Sequence, residues 1–225
     1  MTRILDRPSS SSAACAGPGL GLAVARRFVG GGDRVSLVAR GTDGLSQLAG
    51  SLADTGAQIG TIAADASDPE ALGARVAELY KEQGAPGLII YSAVMGAPDQ
   101  LLSSTVEHLQ TAYAVDVISA IVVAQVVAPA MRAAGSGTII VTGGGFADHL
   151  IPALATISLG KAALRSAATM LGADLEPDGI RVATLTIEGQ IVPGTAFDPE
   201  NNAKYFWEVV HTDGPWQAEF RFTGA

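Results

Sequence analysis

Short apolar runs alternate with stretches of helical periodicity along most of the chain. RVSLVAR (34–40), AQIGTIAAD (57–65), GLIIYSAV (87–94), GTIIVTGG (137–144) and IRVATLTI (180–187) are rich in β-branched residues and bounded by Gly, Pro or Asp. Such runs predict strands. Between them, apolar residues recur at helical spacing over about 20–33, 42–54, 68–83, 103–134 and 152–176, which predicts helices. Strand and helix in alternation predict an α/β fold, a doubly wound parallel sheet with helices on both faces. With no internal repeat and no linker, one domain over 1–225 is expected. Two regions break the pattern. DRPSSSSAAC (6–15) is polar and serine-rich where an internal first strand should be apolar, so either a weak strand or a partly disordered N-terminus is expected. The tail after Ile191 holds Trp207 and Trp216 but has no clean period, and is expected to be a lid, an oligomer contact, or both.

Composition narrows the function classes. Of the 225 residues 48% are hydrophobic and only 5% aromatic, a mix suited to closely packed parallel strands and helices. The net charge of −8, with no Lys/Arg cluster, argues against nucleic acid as a partner. A small anionic ligand needs only local donors. Cys15 is the only cysteine, so neither an intrachain disulfide nor a cysteine metal cluster is expected. No set of His, Cys and carboxylates has ligand spacing, and no metal is expected. The first 15 residues lack the apolar core of a signal peptide. VISAIVVAQVVAPAM (117–131) is interrupted by Gln125 and Pro129 and reads as a buried helix rather than a membrane span. A cytoplasmic protein is expected.

Chemistry concentrates at three places. CAGPGLGLAVARRF (15–28) sets Gly17, Gly19, Leu20 and Gly21 ahead of an amphipathic helix. Glycines there let backbone N–H groups approach a pyrophosphate, and the helix N-terminus favours its charge. The G-x-G-x-x-G spacing is incomplete, because its third glycine position is Leu22. The run RVSLVAR ends in Ala39 and Arg40, without the acid that holds the ribose hydroxyls of NAD. A guanidinium there pairs with a 2′-phosphate, so NADP(H) is favoured over NAD(H). Third, ISLGKAAL (157–164) places Lys161 on an apolar helix face with Ile157, Ser158 and Leu164. A lysine on that face either snorkels or serves a site.

With these motifs the chain resembles the short-chain dehydrogenase/reductase family over about residues 15–195, which implies a Rossmann-like fold. In the family's T-G-x-x-x-G-x-G turn, Gly19 and Gly21 match the last two glycines, while Cys15 and Ala14 take the first glycine and threonine positions. Asp65, followed by Ala66, matches the acid that contacts adenine, and Ser92–Ala93–Val94 matches N-A-G. Asp116 stands in the asparagine slot. The Y-x-x-x-K motif becomes Ile157 to Lys161, and the family serine maps near Gly144. The resemblance implies cofactor contacts by Gly17, Gly19, Leu20, Gly21, Arg40, Asp65, Ala66, Ser92, Ala93 and Lys161, with Lys161 on the nicotinamide ribose. It also implies a homodimer or homotetramer through the long helices.

Isoleucine cannot donate the proton that carbonyl reduction needs. Ser158 forms an S-x-x-K pair with Lys161, His149 follows the fourth of the runs read as strands with Asp148 beside it, and Asp116 could act as an acid if buried. Asp116 and Lys161 are the catalytic candidates; His108 and His211 have no constellation around them. The expected function is NADP(H)-dependent oxidoreduction of a small carbonyl or alcohol that the sequence does not identify. The alternatives are an inactive NADP(H)-binding sensor or partner subunit, and a scaffold that binds nothing.

Overall fold

The computed structural model describes residues 11–15, 19–211 and 214–224, the first of these segments by its backbone alone. Seven strands form one sheet: β1 (Ser11–Cys15), β2 (Arg34–Ala39), β3 (Gly60–Ala63), β4 (Pro86–Tyr91), β5 (Gly137–Gly144), β6 (Ile180–Ile187) and β7 (Glu219–Phe222). Their order is β3-β2-β1-β4-β5-β6-β7 and every pairing is parallel. The helices are α1 (Leu20–Gly30), α2 (Thr42–Gly50), α3 (Pro69–Gln83), α4 (Val106–Tyr113), α5 (Ser119–Ala134), α6 (Ala155–Leu175) and α7 (Pro199–His211).

The strands read as continuous apolar runs because both faces are covered. Leu88 and Ile90 of β4 pack on one face with Phe28 of α1, Leu45 of α2 and Phe206 of α7. The intervening Ile89 and Tyr91 pack on the other with Val76 of α3, Val127 of α5 and Leu164 of α6. Successive side chains of a strand point to opposite faces, so β2, β4, β5 and β6 each feed both cores.

The two irregular regions both join the sheet. The serine-rich segment forms β1, paired to β2 on one side and β4 on the other. Its backbone, not its side-chain propensity, satisfies those two ladders. The tail expected as a lid or oligomer contact is instead largely built in. Ala203, Phe206, Val209 and Val210 of α7 are buried against α1, and β7 extends the sheet from β6. The Trp207 ring sits edge-on to Phe28, 5.1 Å between centroids. A Cβ on Gly31 would fall inside that indole, 1.9 Å from its nearest atom.

The helix expected over 103–134 begins at Val106 and is interrupted by a π-helical turn, Ala114–Ile118. Taken as one helix, Val106–Ala134 is by length and composition apolar enough to cross a membrane, unlike the shorter interrupted run seen in sequence. Half of its most apolar window is buried inside the protein, with Val123, Val127 and Met131 in the core.

Phe206→Ala tests whether the tail is core. Phe206 is 0% exposed, and emptying such a site costs about 3–5 kcal/mol. A fall of that size is expected in the unfolding free energy from urea titration; an unchanged midpoint would mean that α7 is peripheral.

Candidate functional site

The strand order reverses direction at β1, which lies between β2 and β4. In an open parallel sheet a ligand crevice forms there, at the carboxyl ends of the strands. Most sequence-marked residues gather along that edge. Gly19 to Gly21 open α1, Arg40 follows β2, Asp65 and Ala66 follow β3, and Ser92 and Ala93 follow β4. Gly144 ends β5, and Lys161 reaches the same edge from α6. Gly17 lies outside the described residues.

The start of α1 suits an anion. Its N-cap is Gly19, no side chain among the described residues caps it, and its first turn holds no acid. The first N–H groups of a helix have no intrahelical acceptor. At Gly19 a Cβ would meet nothing within 4 Å. Spare donors, the positive end of the helix dipole and open space therefore coincide. Arg40 is exposed at the end of β2. Asp65 is exposed as well, its Oδ1 accepting from the Ser67 N–H at 2.9 Å. Ser119 Oγ donates to the Ala66 carbonyl at 2.7 Å and ties this loop to α5.

Lys161 is 8% exposed, and its Nζ donates to the Thr142 carbonyl at 2.7 Å. Burial pushes its pKa down to about 8, against the pull of the Asp116 carboxylate. Snorkelling is excluded, because the ammonium end itself is enclosed. Asp116, 2% exposed, lies in the π-helical turn. Such turns re-aim the side chains they carry and recur at functional sites. Its Oδ1 accepts from the Met95 N–H at 2.7 Å, while Oδ2 is buried with no hydrogen-bond partner among the described residues. Burial pushes this carboxyl up to about 6, opposed by the Met95 N–H and by Lys161. Gly160 makes the arrangement possible: a Cβ there would stand 2.6 Å from Asp116 Oδ2.

Other candidates are committed elsewhere. Ser158 Oγ accepts from the Ile151 N–H at 3.2 Å, and Lys161 Nζ bonds Thr142, so the S-x-x-K spacing makes no serine–lysine bond. His149 is exposed. Asp148 is committed to other partners: its two oxygens take both arms of Arg165 at 2.7 and 2.8 Å, and Arg221 at 2.8 Å. Those guanidiniums, Arg165 first, hold Asp148 below the usual carboxylate range. Thr142 Oγ1 and Ser92 Oγ share a hydrogen bond of 2.6 Å.

Two clusters escape sequence reading. Asp99 accepts from the Thr156 N–H at 3.2 Å, from the Thr156 hydroxyl, and bonds His108 Nε2 at 2.8 Å. Its side chain is 5% exposed. Burial would raise its pKa, but the hydroxyl and imidazole hold it at about 2. His108 therefore does have a constellation: with Asp99 it clamps the start of α6 to α4. Arg221 also pairs with Glu188 at 2.5 Å and Glu219 at 3.1 Å, joining the loops after β5 and β6 to β7. Partners up to 73 residues apart leave no local spacing to read.

The first turn of α1, the strand-end residues and the inward lysine make a dinucleotide crevice the simplest use of this edge. The short chain dehydrogenase family matches residues 14–198. The chain belongs to that family. Oxidoreductase asL5 of Sarocladium schorii is 27% identical over 169 residues, 75% of this chain and 66% of the relative. Among solved structures, a metagenomic short-chain oxidoreductase in complex with NADP superposes with a TM-score of 0.86 at 21% identity, covering 96% of this chain and 98% of that one. The L-sorbose reductase of Gluconobacter frateurii, complexed with NADPH and L-sorbose, reaches 0.77 at 28% identity, covering 90% and 81%. The chain spans 66, 69 and 60% of the lengths of three curated relatives that it matches.

The Asp116 carboxyl gives a stability signature. Its folded pKa is raised above the unfolded 3.8 to about 6, so between these values the native state holds more protons. Stability from this group is full below 3.8, and is lost as pH rises through 6. Urea midpoints of the native protein and Asp116→Asn, compared at about pH 5 and 7, should show this slope in the native protein only. Equal slopes in both would mean that Asp116 ionises as an ordinary surface carboxyl.

Proposed function

We propose that this short-chain dehydrogenase is an NADP(H)-dependent oxidoreductase acting on a small carbonyl compound or the corresponding alcohol. The observation that carries the proposal is the pairing of an uncapped, acid-free α1 start with Arg40, and no carboxylate, at the end of β2. The first feature suits a pyrophosphate, and the second suits a 2′-phosphate rather than free ribose hydroxyls. The NADPH complex of the 28%-identical sorbose reductase supports the same choice. NAD(H) ranks second; an NAD+-bound xylitol dehydrogenase shares the fold at 21% identity.

In this reading Gly17, Gly19, Leu20 and Gly21 hold the pyrophosphate. Asp65 and Ala66 border the adenine, Ser92 and Ala93 line the floor, and Lys161 donates to the nicotinamide ribose. NADP(H), when bound, supplies the hydride chemistry. The chain's own task is then to orient, to exclude water and to manage one proton. Asp116 is the charged group that acts on Lys161, and one of its oxygens has no hydrogen-bond partner among the described residues. A domain of 1–225 in the cytoplasm, assembled as a homodimer or homotetramer, completes the proposal. Leu101, Val106, Tyr113, Ile118 and Leu159 border an apolar groove of about 480 Å³ along α4 and α6, which suits such an assembly.

One observation favours a second reading, an NADP(H)-binding sensor or partner subunit without turnover. By the resemblance, the family's tyrosine and serine positions fall at Ile157 and near Gly144, and neither residue carries a hydroxyl. Both positions bear on repair. At Gly144 a Cβ would meet nothing closer than 3.7 Å, so a serine fits.

Arg40→Asp should weaken NADPH binding about tenfold or more, the worth of a charge-assisted hydrogen bond, and NADH binding far less. Calorimetric titration of both nucleotides checks this; equal weakening contradicts the 2′-phosphate assignment. The double variant Gly144→Ser, Ile157→Tyr should raise NADPH-dependent reduction of a carbonyl panel above the native rate. A native protein that binds NADPH and turns over nothing on that panel favours the sensor.

A further inference from the structure

Three loops meet at the carboxyl edge of the sheet, beside the start of α6. They follow the adjacent strands β4, β5 and β6 and run over 92–98, 145–154 and 188–198. Hydrogen bonds and close packing fix where each lies. The Met95 N–H bonds Asp116, and the Asp116 carboxyl fills the space at Gly160 of α6. The Ile151 N–H bonds Ser158 of α6. A Cβ at Gly144 would touch both the Phe146 ring, at 3.7 Å, and the Lys161 stem, at 3.9 Å. A Cβ at Gly145 would stand 3.6 Å from the Glu188 Cα, so the third loop begins against the second. Together these loops leave Val94, Leu150, Ile151 and Val192 exposed and Phe146 half-buried. Their polar side chains are mostly spent inside the protein. Asp148 is held by Arg165 and Arg221, Glu188 by Arg221. Asp198 accepts from the Gly194 and Glu200 N–H groups. The Ser92 hydroxyl is bonded to Thr142, and the Thr195 hydroxyl to the Val192 carbonyl at 2.8 Å. The three loops contain no lysine or arginine. His149 and Gln190 are their remaining exposed polar side chains.

We propose that this rim selects uncharged, apolar ketones and aldehydes, and the matching alcohols, over hydroxylated ones such as sugars. The proposal rests on the oxidoreductase reading and narrows its substrate class. An apolar ligand gains affinity from area alone, and the exposed side chains of the three loops supply that area. A charged ligand meets carboxylates that are already paired, and no cation of the loops. A hydroxylated ligand of the same shape gives up water at each hydroxyl and needs a partner in return. The serine and threonine hydroxyls of these loops are bonded to protein, so few such partners are left. The hydrocarbon part of the ligand lies over Val94, Phe146, Leu150 and Ile151, with its carbonyl toward Gly144.

The test titrates the full chain with prodan, an uncharged aryl ketone whose emission moves to the blue when it leaves water. The double variant Val94→Asp, Leu150→Asp changes two exposed side chains and leaves the core intact. It should weaken prodan binding about tenfold or more. The double variant Val106→Asp, Leu159→Asp charges the groove along α4 and α6 instead, and should leave prodan binding unchanged. Diethyl ketone should displace prodan at about tenfold lower concentration than dihydroxyacetone, which carries a hydroxyl in place of each methyl group. No blue-shifted emission, loss of binding in the groove variant alone, or equal displacement by the two ketones overturns the proposal. NADPH binding is measured in its own titration. A protein that binds prodan at this rim and binds neither nucleotide keeps the apolar site and loses the oxidoreductase reading.

Discussion

A buried ammonium organises the half of this molecule built around α6. Lys161 Nζ is enclosed, and an isolated charge in that position would be very costly. The chain meets the cost with two oppositely polarised groups, the Thr142 carbonyl at 2.7 Å and the Asp116 carboxylate. Each demands its own support. Thr142 is held near the end of β5 opposite Leu185 of β6, and its hydroxyl bonds Ser92, just past β4. Asp116 is turned inward by a π-helical turn, and Gly160 leaves the space its carboxyl fills. Sheet, helix irregularity and a missing side chain therefore converge on one nitrogen.

The arrangement is costly in both directions, which points to function rather than stability. Burial moves the acid up and the base down, so between about pH 6 and 8 both are charged in an environment that disfavours each. Buried opposite charges are weak evidence for stability, and shifted titrating groups cluster where proteins do chemistry. The Asp99–His108–Thr156 cluster differs: Asp99 is held ionised by its donors and fixes the first turn of α6. It braces the helix that carries Lys161 from one end, while the Asp148–Arg165–Arg221 contacts brace it a turn beyond.

Much of this was legible in sequence. The five apolar runs became β2 to β6 because parallel strands buried on both faces need continuous Val, Ile and Leu. Lys161 stood out because its neighbours three and four residues away are mostly apolar. β1 was obscured by AAC and four serines, since its place between β2 and β4 is secured by backbone pairing. The tail resisted because α7 meets α1 across almost the whole chain, and β7 is only four residues long. Asp99, Glu188 and Arg221 carry no local pattern at all; their partners are assembled by the fold.

The most direct measurement is a crystal structure of the protein grown with NADP+. The expected placement puts the pyrophosphate on the N–H groups at Gly19 to Gly21, the 2′-phosphate against Arg40, and the nicotinamide ribose within hydrogen-bonding distance of Lys161 Nζ. A dinucleotide bound elsewhere, or a Lys161 that stays on Thr142 with the ribose out of reach, would contradict it.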